Sequence, residues 1–170
     1  SINQSVESQR LMYEDFNSAN TKLKFLREQV ENLNNTIDLL ENSKVQFEKE
    51  LTDKKSKQDA IIKEHLENGA WQHMMFSKEW QDEIDLGLKK DSTIAYLWQQ
   101  KAMPYFKARK YEIGMPFLDK AVLYNPQRWQ PYRGFMKCIF SKSYKEAIAD
   151  LEERIQNPKT VNAWNRFEGD

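Results

Sequence analysis

The sequence predicts an all-α protein in two regions: a long N-terminal coiled-coil helix over residues 1–68, then a short α-solenoid of helical hairpins over residues 69–170. Three observations predict it. The first 68 residues contain neither Gly nor Pro, the residues that most often weaken or break a helix. Apolar residues in that region recur at alternating steps of three and four, the spacing of a coiled-coil seam. Beyond it, small and aromatic residues recur at intervals of 33 or 34, a period typical of stacked helical hairpins.

Composition places the change at Asn68-Gly69. All five Trp, six of the seven Tyr and six of the nine Phe lie after residue 70, as do four of the five Gly and all five Pro, with Gly69 at the junction. Globular packing therefore belongs to the second region. Lys+Arg and Asp+Glu number 26 each, so no global charge draws the chain to nucleic acid or anionic lipid. Cys138 is alone, which excludes an internal disulfide. No run of about 18 apolar residues is present, so no transmembrane segment is expected. Nothing resembles a signal peptide, and the chain opens on Ser, as a processed form would. The compartment stays open between soluble intracellular and periplasmic settings.

In residues 1–68 the seam is Leu23, Leu26, Val30, Leu33, Ile37 and Leu40. Met12, Phe16 and Ala19 extend it backwards in phase, and Lys44, Phe47, Leu51, Lys54, Gln58 and Ile61 continue it forwards. A solitary helix with this stripe bare is unstable, so the helix is expected to pair. β-Branched Val30 and Ile37 at one seam position with Leu26, Leu33 and Leu40 at the other favour a parallel homodimer, with Lys44 setting register. Leu11, Phe25 and Leu39 recur every 14 residues on a flank. That second stripe keeps open a trimer, or a packed hairpin bending near Asn42-Ser43-Lys44.

The stretch from Ala95 to Pro126 carries the strongest pattern. Trp98, Ala102 and Tyr105 mark a first helix; Gly114, Leu118 and Ala121 mark a second, and Pro126 closes the unit. With these seven places in one register, the stretch resembles a tetratricopeptide repeat, and neighbours at related spacing extend the resemblance over residues about 70–158. Lys101 departs from it, standing where an apolar residue is usual. Small residues let two helices cross closely while the aromatic residues fill the space around them. Before this unit, GAWQHMMF (69–76) and KEWQDEIDLGLKKDS (78–92) read as the two helices of a degenerate entry repeat, with Met74 and Met75 in its core. After it, WQPYRGFMKCIF (129–140) and YKEAIADLEERI (144–155) read as a further pair. Ala108-Arg109-Lys110 and Ser141-Lys142-Ser143 are the tight turns inside the two later units. Pro104, inside a first helix, is expected to kink or interrupt it. Asn157-Pro158 is expected to end the last helix, and Val161 to Phe167 to begin a cap or another unit.

No phosphate-binding Gly-rich loop, zinc spacing or Gly-x-Ser-x-Gly turn is present. His65 and His73 lack companion ligands, and Cys138 sits in an apolar helix as a structural thiol. The expectation is a protein that is not an enzyme and takes no cofactor. The resemblance implies a partner-binding groove lined by first helices: Tyr96, Gln99, Gln100, Met103 and Phe106 from one unit, and Arg133, Lys137 and Phe140 from the next. Gln99 and Met103 occupy places where the family's carboxylate clamp has Lys or Asn, so a clamp for acidic C-terminal tails is not expected. An adaptor follows, joined to its copies by the coil and gripping a protein or peptide segment with apolar anchors and an acidic group, with Arg133 and Lys137 exposed to meet it. The alternative is a purely structural protein whose repeats pack on the coil.

Overall fold

The computed structural model describes residues 2–156 and is helical, with no strand among the described residues. It divides into two compact units, one ending at Thr52 and one beginning at Asp53. The second unit thus starts upstream of the composition change at Asn68-Gly69.

The first unit is a single stretch of helix, part of α1 (Ile2–Ile62). The absence of Gly and Pro leaves nothing to interrupt its hydrogen-bond ladder. The hydroxyls of Thr21, Thr36 and Thr52 donate to the carbonyls of Asn17, Asn32 and Glu48 at 3.0, 2.9 and 2.8 Å, which satisfies these side chains without breaking the helix. α1 runs through Asn42-Ser43-Lys44 without a bend into a hairpin, so the packed-hairpin alternative is corrected.

The second unit takes the last turns of α1, then α2 (Lys78–Lys90), α3 (Ala95–Lys107), α4 (Tyr111–Tyr124), α5 (Pro126–Met136) and α6 (Tyr144–Gln156). The expected entry helix over residues 69–76 is corrected. Those residues form only a 3₁₀ turn at Ala70–Gln72, and the end of α1, with the π-helical turn Lys63–Glu67, takes the helix's place against α2. Leu66 is fully buried there with Ala70, Trp80, Ile84, Leu88, Ile94 and Leu97, and Ile61 and Ile62 pack against them. Gly69 is required at the corner: a Cβ on it would lie 2.5 Å from the His65 carbonyl oxygen and 2.9 Å from Glu83 Oε2. Met75 packs on this core, but Met74 is 80% exposed, a correction to its expected core role. Ser77 caps α2 by accepting from the Trp80 amide at 3.2 Å.

A second core joins α3, α4 and α5 through Ala95, Ala102, Phe106, Leu118, Ala121, Val122, Trp129 and Met136. Gly114 lets α4 approach α3: its Cβ would stand 3.2 Å from Tyr105 Cβ and 3.3 Å from the Ala102 carbonyl. Gly134 does the same for α5 and α6, facing Leu151 Cγ and Asp150 Cβ at 3.0 and 3.1 Å. Pro104 does not interrupt α3, which continues to Lys107 and is closed by the Ala108 amide donating to the Pro104 carbonyl at 2.9 Å. Pro126 opens α5 at its first position, where its missing N–H costs nothing, behind an Asn125 cap that accepts from the Arg128 amide at 3.2 Å. The ending expected at Asn157-Pro158 and the helix expected over Val161 to Phe167 lie outside the described residues.

Candidate functional site

Two surfaces come forward, one in each unit. On the first, the seam residues Leu23, Leu26, Val30, Leu33, Ile37 and Leu40 are between 46% and 65% exposed. Phe47 and Leu51 in the same phase are at 68% and 69%. The flank residues Leu11, Phe25 and Leu39 are exposed as well. A helix alone offers no place to bury them, and their removal from water needs another surface. The phase then changes use. Gln58 and Ile61, two further seam positions, are engaged within the second unit: Gln58 Nε2 donates to Asp91 Oδ2 at 2.9 Å and Thr93 Oγ1 at 3.1 Å, and Ile61 joins the α2 core.

On the second surface, the expected groove residues separate into three groups. Tyr96 and Met103 are half-buried on α3 and meet α5. The Tyr96 ring stacks on Trp129 at 6.1 Å, Tyr132 stands edge-on to Trp129 at 5.7 Å, and the Tyr132 hydroxyl donates to Met103 Sδ at 3.2 Å. The Arg128 guanidinium lies 5.8 Å from the Tyr96 ring and 4.9 Å from the Trp129 ring, a cation–π arrangement in a dry setting. Gln100 is half-buried beside them, accepting from Trp71 Nε1 at 3.4 Å.

Gln99 and Phe106 are corrected as lining residues. They are 6% and 3% exposed, and Phe106 belongs to the core shared by α3, α4 and α5. Gln99 Oε1 accepts from Gln100 Nε2 at 2.9 Å, and Phe106 stacks near Tyr111 at 6.3 Å. Phe140 is 36% exposed and touches Tyr111 at 5.6 Å.

Arg133 and Lys137 are corrected too: they are not exposed charges. Their side chains are 18% and 17% exposed, and both are committed to Asp150, whose side chain is only 6% exposed. Arg133 also donates to Asp119 Oδ1 at 2.8 Å. Burial raises the Asp150 pKa, but the hydrogen bonds from Arg133 and Lys137 outweigh it and hold the carboxyl below its usual range. The bonds to Asp150 first and to Asp119 raise Arg133 against the opposing effect of burial. These charges fasten α5 to α6 and α4 and leave little to attract an acidic ligand.

Lys101, the departure from the repeat pattern, also has a structural use. Its ammonium pairs with Asp85 on α2 and lies 5.2 Å from the Phe117 ring on α4, with only 12% of the side chain exposed. Residues missed in the sequence are Trp71, Asp119, Trp129 and Asp150. Asp150 had a readable signal: it stands on the inward Ala147–Leu151 face of α6, where a carboxylate needs a cation. Cys138 is half-buried, and among the described residues no three His, Cys, Asp or Glu are grouped as metal ligands. No helix among the described residues is long and apolar enough to cross a membrane. Comparison with protein-family models, curated proteins and solved structures finds no match, so the resemblance to the tetratricopeptide repeat rests on residue spacing alone.

Proposed function

We propose that this chain is a non-enzymatic adaptor for protein–protein interaction, self-associated through the α1 seam and docking a partner segment on a small stack of tetratricopeptide-like hairpins. The observation that carries the reading is the bare seam: six aliphatic residues in heptad phase on an unbroken helix, about half or more exposed. Two parallel copies bury that stripe against itself, with Val30 and Ile37 in one layer type and Leu26, Leu33 and Leu40 in the other. The intermolecular seam ends before Gln58, because Gln58 and Ile61 are engaged in the second unit.

The docking half rests on the half-buried Tyr96, Gln100, Met103 and Tyr132. This face suits a segment with apolar or aromatic anchors. With Arg133 and Lys137 held by Asp150, an acidic group in the partner is not required. Two such faces on one dimer would raise avidity for a multivalent partner.

Light scattering on the full chain tests the coil: twice the monomer mass supports it, and a monomer at micromolar concentration sinks it. A purely structural role is separated by Met103→Glu. If the chain retains partners from its host and this variant releases them while staying folded, the face is a docking site.

A further inference from the structure

The hairpin turn between α3 and α4 and that between α5 and α6 share an unusual feature. Each holds a long basic residue in the left-handed backbone region, Arg109 at φ 59° and Lys142 at φ 55°, and these are the two non-glycine residues of positive φ among the described residues. Gly or Asn avoids the steric cost that an Arg or Lys meets there. A backbone outlier of this kind, twice at equivalent turns and twice on a cation, points to a use for the charge.

The turns are neighbours, since Tyr111, just after the first, meets Phe140, just before the second, at 5.6 Å. Around them Lys107, Arg109, Lys110, Lys142 and Lys145 are all exposed. Among the described residues none of these five side chains has an ion pair or hydrogen bond, unlike Lys101, Arg133 and Lys137. Within residues 107–113 and 141–146 these five cations stand with two carboxylates, Glu112 and Glu146 in the first turns of α4 and α6. Apolar side chains stand among the charges: Ile113 is 50% exposed, Phe140 36% and Tyr144 57%.

We propose that the paired α3–α4 and α5–α6 turns form a contact surface for an anionic lipid bilayer. Long cations reach headgroup phosphates while Phe140, Ile113 and Tyr144 enter the boundary of the acyl region, the division of labour of interfacial membrane contacts. A bilayer demands no shape match, which suits two protruding sets of flexible side chains better than a folded acidic partner does. Each cation close to an anionic leaflet raises affinity roughly fivefold, so the net surplus gives reversible attachment. The proposal concerns a surface separate from the α1 seam and from the Tyr96 face, and it stands or falls independently of the adaptor reading.

The test is co-sedimentation of the full chain with vesicles of phosphatidylcholine alone and of phosphatidylcholine with about one-quarter phosphatidylserine. Binding is expected to the anionic vesicles, weakening as salt rises. Arg109→Asn with Lys142→Asn removes two charges while keeping a residue type that tolerates the left-handed region, and should lower the affinity about tenfold or more at unchanged helix content. Lys107→Gln with Lys145→Gln, on the helix ends, gives the same reading if the first pair disturbs folding. Equal binding to neutral and anionic vesicles overturns the proposal. So does undiminished binding by both folded variants, or binding to an acidic peptide or a DNA duplex with none to the vesicles.

Discussion

Arg133 donates to Asp150 through two nitrogens, Nε to Oδ2 at 2.9 Å and Nη2 to Oδ1 at 2.5 Å, so a planar guanidinium meets a planar carboxylate across the α5–α6 pair. Lys137 adds a third bond to the same carboxylate at 2.8 Å. Fork-on-fork pairing of this kind fixes orientation as well as charge, which a Lys in place of Arg133 cannot reproduce.

Removing the carboxylate therefore leaves Lys137 without its ion partner and Arg133 with Asp119 alone. Asp150→Ala is expected to destabilise the second unit by about 3 kcal/mol, measured by urea unfolding. Acid should act in the same direction. A carboxyl held below its ordinary pKa contributes stability above the unfolded-state value and loses it as pH falls through the folded-state value. Wild-type stability should decline in that acidic window, and Asp150→Asn should flatten that part of the profile.

Leu118 is fully buried between α3 and α5. Leu118→Ala should cost about 2–5 kcal/mol through lost burial and the cavity left behind. Thermal unfolding followed by circular dichroism reads this directly. A loss well under 1 kcal/mol would mean that the core collapses around the gap.

Charge in the seam should abolish the proposed self-association. Leu33→Asp with Ile37→Asp is expected to reduce the mass in light scattering to that of a monomer. Helix content should fall as well, since a helix of this composition without a partner is marginal in water.

The turn residues offer a test of opposite sign. Arg109→Gly replaces a side chain that resists the left-handed backbone. It should stabilise the second unit by up to about 1 kcal/mol, seen as a raised midpoint in urea. The same substitution should weaken attachment to anionic vesicles, so stability and lipid affinity move apart.

Helix type was legible in the sequence because its signals are local: the Gly- and Pro-free run, the heptad phase, and the spacing of Ala102, Gly114 and Ala121. All three small residues are buried at helix contacts. What failed was the assignment of exposure. Repeat position makes Gln99 and Phe106 lining residues, but both are buried, and burial depends on neighbours that spacing alone does not reveal. Arg133 and Lys137, expected to be exposed from their place in the repeat, are instead held by Asp150, a buried carboxylate of the following helix. The entry helix failed for another reason. GAWQHMMF has the apolar content of a helix, but Gly69 sits where the backbone must pass within contact of His65 and Glu83. The preceding helix supplies the packing surface instead, through Ile61, Ile62 and Leu66.

In the second unit the principal packing partners are close neighbours in the chain: α2 with α3, α3 with α4, α4 with α5, and α5 with α6. Helix-rich domains built from such short-range contacts close small loops as they form, so little chain entropy is lost before packing begins to compensate. The unit should refold on the microsecond-to-millisecond scale of helical bundles. It also suits assembly during synthesis, because each helix meets its partner soon after both have emerged and no distant strand must be awaited.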